Sequence, residues 1–367
     1  MLNKDRMIKK FIDYVLIDSE THYEKEMMEY LLKELKELGF NPETDNAGVA
    51  CECNGNNIYV KIPGNDKEPV LLSSHMDTVQ PGLGIKPQIK GHMIYSDGTT
   101  ILGADDKSGI AIITETLRVI KENNLDHRPI EILLTIFEEG GLNGAKNADY
   151  SRLTAQNCLV FDSGGPLENI VVQAIAQNKI TAKVIGKAAH AGGEPENGIN
   201  ALVVAARAIE NMKLSRIDHD TTANIGIVKG GLASNIVMPE VTLYGEARSL
   251  SDKKLEKQSQ HMKDCFEKAA KDFGAQVEVE ITKSFSSFKT DINSDFAQEV
   301  KSNLESLGHE VNFISTGGGS DANIYAEHGI NSIIMSTGLD KPHTLEESLD
   351  TNIMAASCEF LIKYLTN

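Results

Sequence analysis

Three short apolar runs constrain this chain more than any other feature, because each closes on a histidine or a carboxylate: PVLLSSH at His75, IEILLTIFEE at Glu138 and Glu139, and CLVFDSGG at Asp162. Runs of this length that are apolar throughout, rather than alternating, read as strands buried on both faces of a sheet. Between the first two, DKSGIAIITETLRVIKENN from Asp106 reads as a helix, so strand, helix and strand alternate as in a sheet covered on both sides. Upstream, THYEKEMMEYLLKELKELGF places Met27, Leu31, Leu35 and Leu38 at helical spacing. There a Thr21/Glu24 pair is spaced as a capping box, and Gly39 stands as the stop. The expected fold class is α/β, a mixed sheet flanked by helices.

From about Asn178 the pattern changes to strand, helix, strand, strand, helix, strand, ending in QVEVEITKSF, where Val277, Val279 and Ile281 alternate as on a sheet with one buried face. That order is the split βαβ unit of ferredoxin-like domains. The sequence therefore predicts a first domain made of residues 1–177 and 288–367, interrupted by an inserted ferredoxin-like α+β domain over 178–287. A helix from DFAQEVKSNLESLGHE, a strand from NSIIMSTG and a last helix over SLDTNIMAASCEFLIKYLT return the chain to the first domain. At 367 residues, two domains each have room for their own core.

Charge excludes some functions. With 36 Lys and Arg against 53 acidic residues, the net charge of −17 repels phosphate backbones and anionic lipid surfaces, which argues against nucleic-acid or membrane partners. Five scattered cysteines, Cys51, Cys53, Cys158, Cys265 and Cys358, have neither a disulfide framework nor a four-thiolate zinc spacing. No stretch is apolar for long enough to be a signal peptide core or a membrane span, so a cytoplasmic protein is expected.

The chemistry concentrates where the strands end, since ligands of open α/β sheets bind beyond the carboxyl ends of the strands. Several acidic groups gathered at an apolar sheet edge are costly unless a cation compensates them. In SSHMDTV, His75 and Asp77 lie two apart on an extended chain, so one imidazole nitrogen can bind metal while Asp77 accepts from the other. A surface histidine beside a helix-capping aspartate would be written the same way. GADDKSG sets two carboxylates in a Gly-bounded loop before a helix, where Asp105 can bridge two cations and Asp106 or Lys107 can set the loop; plain helix capping is the alternative. FEEGG places Glu138 and Glu139 side by side facing different ways, which suits one carboxylate on metal and one free to move a proton, or else an exposed acidic turn.

Taken together, SSHMDTV, GADDKSG, FEEGGLNGAK, FDSGG, GKAAHAGGEPENGINAL, GGGSDANI and PHTLEESL resemble the co-catalytic zinc peptidases and deacylases, the peptidase T group most closely. The resemblance implies a cofactor of two Zn²⁺ per chain. His75 and Asp162 would hold one ion, Glu139 and His343 the other, and Asp105 would bridge them. Glu138 would be the general base and Asp77 the orienter of His75. The charges then balance, with two Zn²⁺ against three carboxylate ligands and one bridging hydroxide, the nucleophile. The inserted domain would be a lid, with His190 donating a hydrogen bond to the oxyanion; a lone histidine in such a Gly/Ala loop is otherwise structural. Asn235 and Arg248 would hold the backbone and terminal carboxylate of a short peptide, although Arg248 can equally pair with Glu246. Gly318 and Ser320, in the run from Gly317, would let the substrate backbone come close, as a plain glycine turn also would. His22, His92, His127, His219, His261, His309 and His328 receive no role.

The implied activity is cleavage of the N-terminal amide bond of di- or tripeptides. No residue visibly fixes a free substrate amine, so deacylation of an N-acyl amino acid is a second reading, and an inactive peptide-binding protein of the same fold a third. The chain is expected as a monomer or as a homodimer through the lid.

Overall fold

The computed structural model describes residues 2–367, which divide into two compact units. One runs to Val172 and resumes over Lys289–Ser315 and Ser320–Asn367; the other comprises Gln173–Phe288 with Thr316–Gly319. The second is wider than the range read from the sequence because its first strand, Ala176–Ile185, already starts before Asn178. Among the described residues, no helix is long and apolar enough to cross a membrane.

The first unit is built on a mixed sheet. Its path runs Glu43–Thr44, Ile58–Ile62, Ile130–Thr135, Val70–His75, Asn157–Gly164, Asn331–Asp340, Ser348–Asp350, Met93–Tyr95 and Gln88–Lys90. The three apolar runs are the neighbouring parallel strands at its centre, with Val70–His75 between the other two. Central position buries every residue of Val70–His75, including Ser73 and Ser74, whose hydroxyls are satisfied internally. Ser73 donates to the Leu133 carbonyl at 3.0 Å and Ser74 to that of Asp106 at 3.0 Å. The helix Ala104–Asn123 is buried on nearly every side, and its buried polar residues find partners inside, as where Thr114 donates to the Ile110 carbonyl and Glu115 accepts from Arg6. It comes so near the sheet that a Cβ at Gly109 would lie 2.3 Å from the Phe161 carbonyl oxygen.

Parallel pairing sets the functional edge. His75 ends its strand opposite Thr135, so the segments that follow leave the sheet side by side. The predicted strand through Glu139 is shorter than expected: it stops at Thr135, and the chain turns at Phe137, whose φ of 50° lies in the left-handed region. That turn, and not strand alternation, separates Glu138 from Glu139. Asp162 lies within Asn157–Gly164 rather than beyond it. The strand Asn331–Asp340 pairs antiparallel with Ser348–Asp350, and the connection between them carries His343.

The capping box read at Thr21 and Glu24 does not form. The helix begins at Lys25, and Glu24 makes no side-chain cap hydrogen bond to it. Both side chains face the sheet edge instead, Thr21 donating its hydroxyl to Asp77 and Glu24 accepting from the Phe137 N–H.

The second unit is a five-stranded antiparallel sheet ordered Ser215–Arg216, Thr221–Gly230, Glu240–Ser249, Ala176–Ile185, Gln276–Phe285. Apart from the two-residue first strand, this is the ferredoxin-like order. Its core packs Ile180, Ala182 and Val184 of the strand Ala176–Ile185 against Val204 and Ala208 of the helix Ala201–Asn211, and against Met262 and Phe266 of the helix Asp252–Phe273.

Candidate active site

Five donors meet at the carboxyl edge of the first unit's sheet. The imidazole of His75 is buried, and its Nδ1–H donates to the Asp77 backbone carbonyl at 2.9 Å, with Asp77 Oδ1 at 3.4 Å. The second nitrogen is thereby turned toward the cluster, where Nε2 lies 3.1 Å from Asp105 Oδ1 and 3.8 Å from Asp162 Oδ1. His343, the most exposed member, sets its Nε2 2.9 Å from Glu139 Oε2 and 3.3 Å from Asp105 Oδ2. Asp105 therefore divides its two oxygens between the histidines. The donors fall into His75, Asp105 and Asp162 on one side and Asp105, Glu139 and His343 on the other, each group within 4.8 Å. Glu138 joins His75 and Glu139 in a third such group.

Electrostatics strain this arrangement. Burial, followed by the Asp105 charge, pushes the Asp162 carboxyl well above the usual range, and burial does the same to Glu138. Burial opposes a charge on His75, yet its contacts with Asp105 and Asp77 hold its pKa well above normal. The Asp105 and Glu139 carboxylates raise His343 to about 10. Two imidazoles cannot neutralise so many buried carboxylates. Oxygen and imidazole donors in two sets sharing one carboxylate fit divalent cations of the zinc kind, which would relieve that strain.

The backbone around the cluster is held by carboxylates. Asp77, wholly buried, accepts from the Glu138 N–H at 2.9 Å and the Glu139 N–H at 3.2 Å, so it orients that turn as well as His75. Ser320, at the head of the helix Asp321–Glu327, donates its hydroxyl to Asp162 Oδ2 at 2.7 Å. Three positions were missed by sequence reasoning. Glu347 accepts from the backbone N–H groups of Leu102, Gly103 and Asp105 at 2.7, 2.8 and 2.9 Å and so fixes the loop of the shared aspartate. Asp321 accepts from the Thr135 hydroxyl, and burial lifts its pKa to about 6. Glu24 accepts from the Phe137 N–H at 3.2 Å. The only signal for Glu347 was its place four residues after His343.

The remaining predicted residues, except Ser320, lie in the second unit. His190 is exposed, and its Nδ1 accepts from the N–H groups of Gly192 at 3.1 Å and Gly193 at 2.9 Å. Those bonds place the ring proton on Nε2, which is left as a donor. Asn235 lies in the adjoining segment, its carbonyl accepting from the Ala191 N–H at 3.0 Å. Arg248 pairs with Glu246 at 2.8 and 3.1 Å, and also donates to the Gly317 carbonyl at 3.2 Å. In the glycine run, a Cβ at Gly319 would collide with the Phe285 ring, whereas Gly317 faces open space and Gly318 would make only an ordinary contact with the Thr316 hydroxyl.

Comparison with known proteins gives consistent matches. The model of "Peptidase family M20/M25/M40" matches residues 71–367. An uncharacterized protein, YqjE, of Bacillus subtilis (strain 168) is 40% identical over 363 residues, covering 99% of this chain and 98% of its own. Among solved structures, aminopeptidase PepT from Bacillus cereus ATCC 10987 superposes with a TM-score of 0.91 at 40% identity, covering 100% of this chain and 98% of its own. A tripeptidase from Staphylococcus aureus subsp. aureus mu50 gives 0.96 at 38% identity with the same coverage.

Proposed function

The chain belongs to peptidase family M20/M25/M40, and from that premise we propose that it is an aminopeptidase that removes the N-terminal residue of short peptides, tripeptides above all, with two zinc ions. The solved relatives named aminopeptidase and tripeptidase support the substrate class. The observation that carries the two-metal reading is the Asp105 carboxylate, one oxygen toward His75 and the other toward His343. His75 and Asp162 would hold one ion, Glu139 and His343 the other. Bound there, zinc supplies a water of lowered pKa and a Lewis acid for the scissile carbonyl.

This chain's residues do the rest. Glu138, acting as the carboxylate, takes up the proton released on attack, and burial strengthens its hold on that proton until it is returned to the departing amine. Asp77 keeps Glu138 and His75 in register through the bonds described above. In the second unit, assigned here as a lid, His190 Nε2–H donates to the oxyanion, and Asn235 beside it holds the peptide backbone. Arg248 takes the terminal carboxylate, and the open positions Gly317 and Gly318 admit the substrate chain. Five free thiols suit a reducing compartment, the cytoplasm.

Zinc per chain is measured together with hydrolysis of free di- and tripeptides and of N-acyl amino acids, before and after chelation. About two zincs and chelator-sensitive tripeptide cleavage are expected. Turnover of acylated substrates alone would make the chain a deacylase, and bound zinc without any turnover a binding protein. His190→Ala is expected to lower kcat by about 10²- to 10³-fold with zinc retained, the range for losing one oxyanion donor. A fall in zinc content of the same proportion would make His190 structural.

A further inference from the structure

We infer that Thr21 and Glu24, from the segment before the first unit's sheet, are positioning residues for Glu138: they hold the backbone turn that aims its carboxyl. The inference rests on Glu138 being the base.

The segment runs alongside the strand exit that carries Asp77. Ser19 donates its hydroxyl to the Met76 carbonyl at 2.8 Å, Glu20 bridges Thr78, and the Thr21 N–H donates to the Thr78 carbonyl at 3.1 Å. From there Thr21 gives its hydroxyl to Asp77 Oδ2 at 2.7 Å. This is the same oxygen that accepts from Glu139 N–H, while Oδ1 accepts from Glu138 N–H. Thr21 thus fixes the carboxylate from which the Glu138 backbone hangs.

Glu24 acts one residue upstream. Phe137 has φ near 50°, a conformation that costs a bulky residue energy and persists only where the surroundings impose it. Glu24 Oε1 accepts from the Phe137 N–H at 3.2 Å and from the His22 N–H at 3.0 Å, tying the two residues to one oxygen. Their rings meet edge to face with centroids 4.4 Å apart. On its other side the Phe137 carbonyl accepts from the Asn143 N–H at 2.9 Å, and that of Glu138 from Leu142 at 2.7 Å. The backbone groups of Phe137 and Glu138 that do not hang on Asp77 are therefore held by Glu24 or by the turn's own return. Glu24 Oε2 is buried without a partner, so a single acceptor oxygen is what the site uses.

The test compares Glu24→Ala, Glu24→Gln, Thr21→Val and Thr21→Ser in the full chain, measuring kcat, KM and zinc per chain on a tripeptide. Glu24→Ala should lower kcat by about 10²-fold with KM and zinc unchanged, since a misplacement on the order of 1 Å costs that much. Glu24→Gln keeps the acceptor and should stay near wild type. Thr21→Val should lower kcat by roughly tenfold, and Thr21→Ser should restore it. Wild-type kcat in both Glu24→Ala and Thr21→Val overturns the inference, as does zinc loss in step with activity, or a Gln variant as slow as the Ala variant. Should Glu24→Ala not fold, the Thr21 pair decides alone. Unchanged turnover in Glu138→Gln would remove the base itself, a failure visible without any Glu24 or Thr21 variant.

Discussion

Glu138→Gln is expected to lower kcat by about 10³- to 10⁴-fold while zinc content and KM stay as they are, the upper part of the range for losing a general acid–base group. Gln matches the shape of Glu, and the backbone N–H at 138 that Asp77 accepts is untouched, so the turn should keep its geometry. What disappears is a group able to take a proton and give it back. Burial with Asp162 and Glu139 nearby makes the carboxyl a good proton holder, and an amide there can hold none. Steady-state kinetics with zinc analysis on the same preparation provide the check. Turnover within a few-fold of wild type would end the role.

Asp105→Ala should go further and reduce turnover to background, because it removes the one carboxylate that both donor sets use. His75 and His343 would then each face a site short of an anionic ligand. The Asp105 N–H would still be held by Glu347, so the loss would come from the side chain and not from a collapsed loop. Zinc per chain should fall from about two to below one, whereas His343→Ala should spare the ion on the His75 side. Two zincs retained in Asp105→Ala would show that the ions do not share this ligand.

The sequence disclosed the site wherever local pattern and tertiary need coincide. Parallel strands buried on both faces read as nearly continuous apolar runs, so the charged residues that follow stand out: His75, Glu138, Glu139 and Asp162 were picked in this way, although one strand stops at Thr135 and another continues past Asp162. Glu347 was invisible because its partners lie more than 240 residues away, at Leu102, Gly103 and Asp105, and no local period encodes such a contact. Thr21 and Glu24 show the opposite failure. Their spacing fits a helix cap, and that reading satisfied every local rule, but the backbone donors at Phe137 and His22 and the Asp77 carboxylate drew both side chains away. That Glu138 and Glu139 are set apart was anticipated while its cause was not, since a left-handed φ at a phenylalanine leaves no trace in composition.

The order of the five donors along the chain also sets a timetable. His75, Asp105, Glu139 and Asp162 precede the second unit, and His343 follows it, about 180 residues after Asp162. At roughly 5–20 residues per second, a ribosome needs about 10–40 s to cover that distance. During that interval a nascent chain would carry one donor set complete and the other lacking its imidazole, and completion of the second set would have to wait for nearly the whole polypeptide to be made.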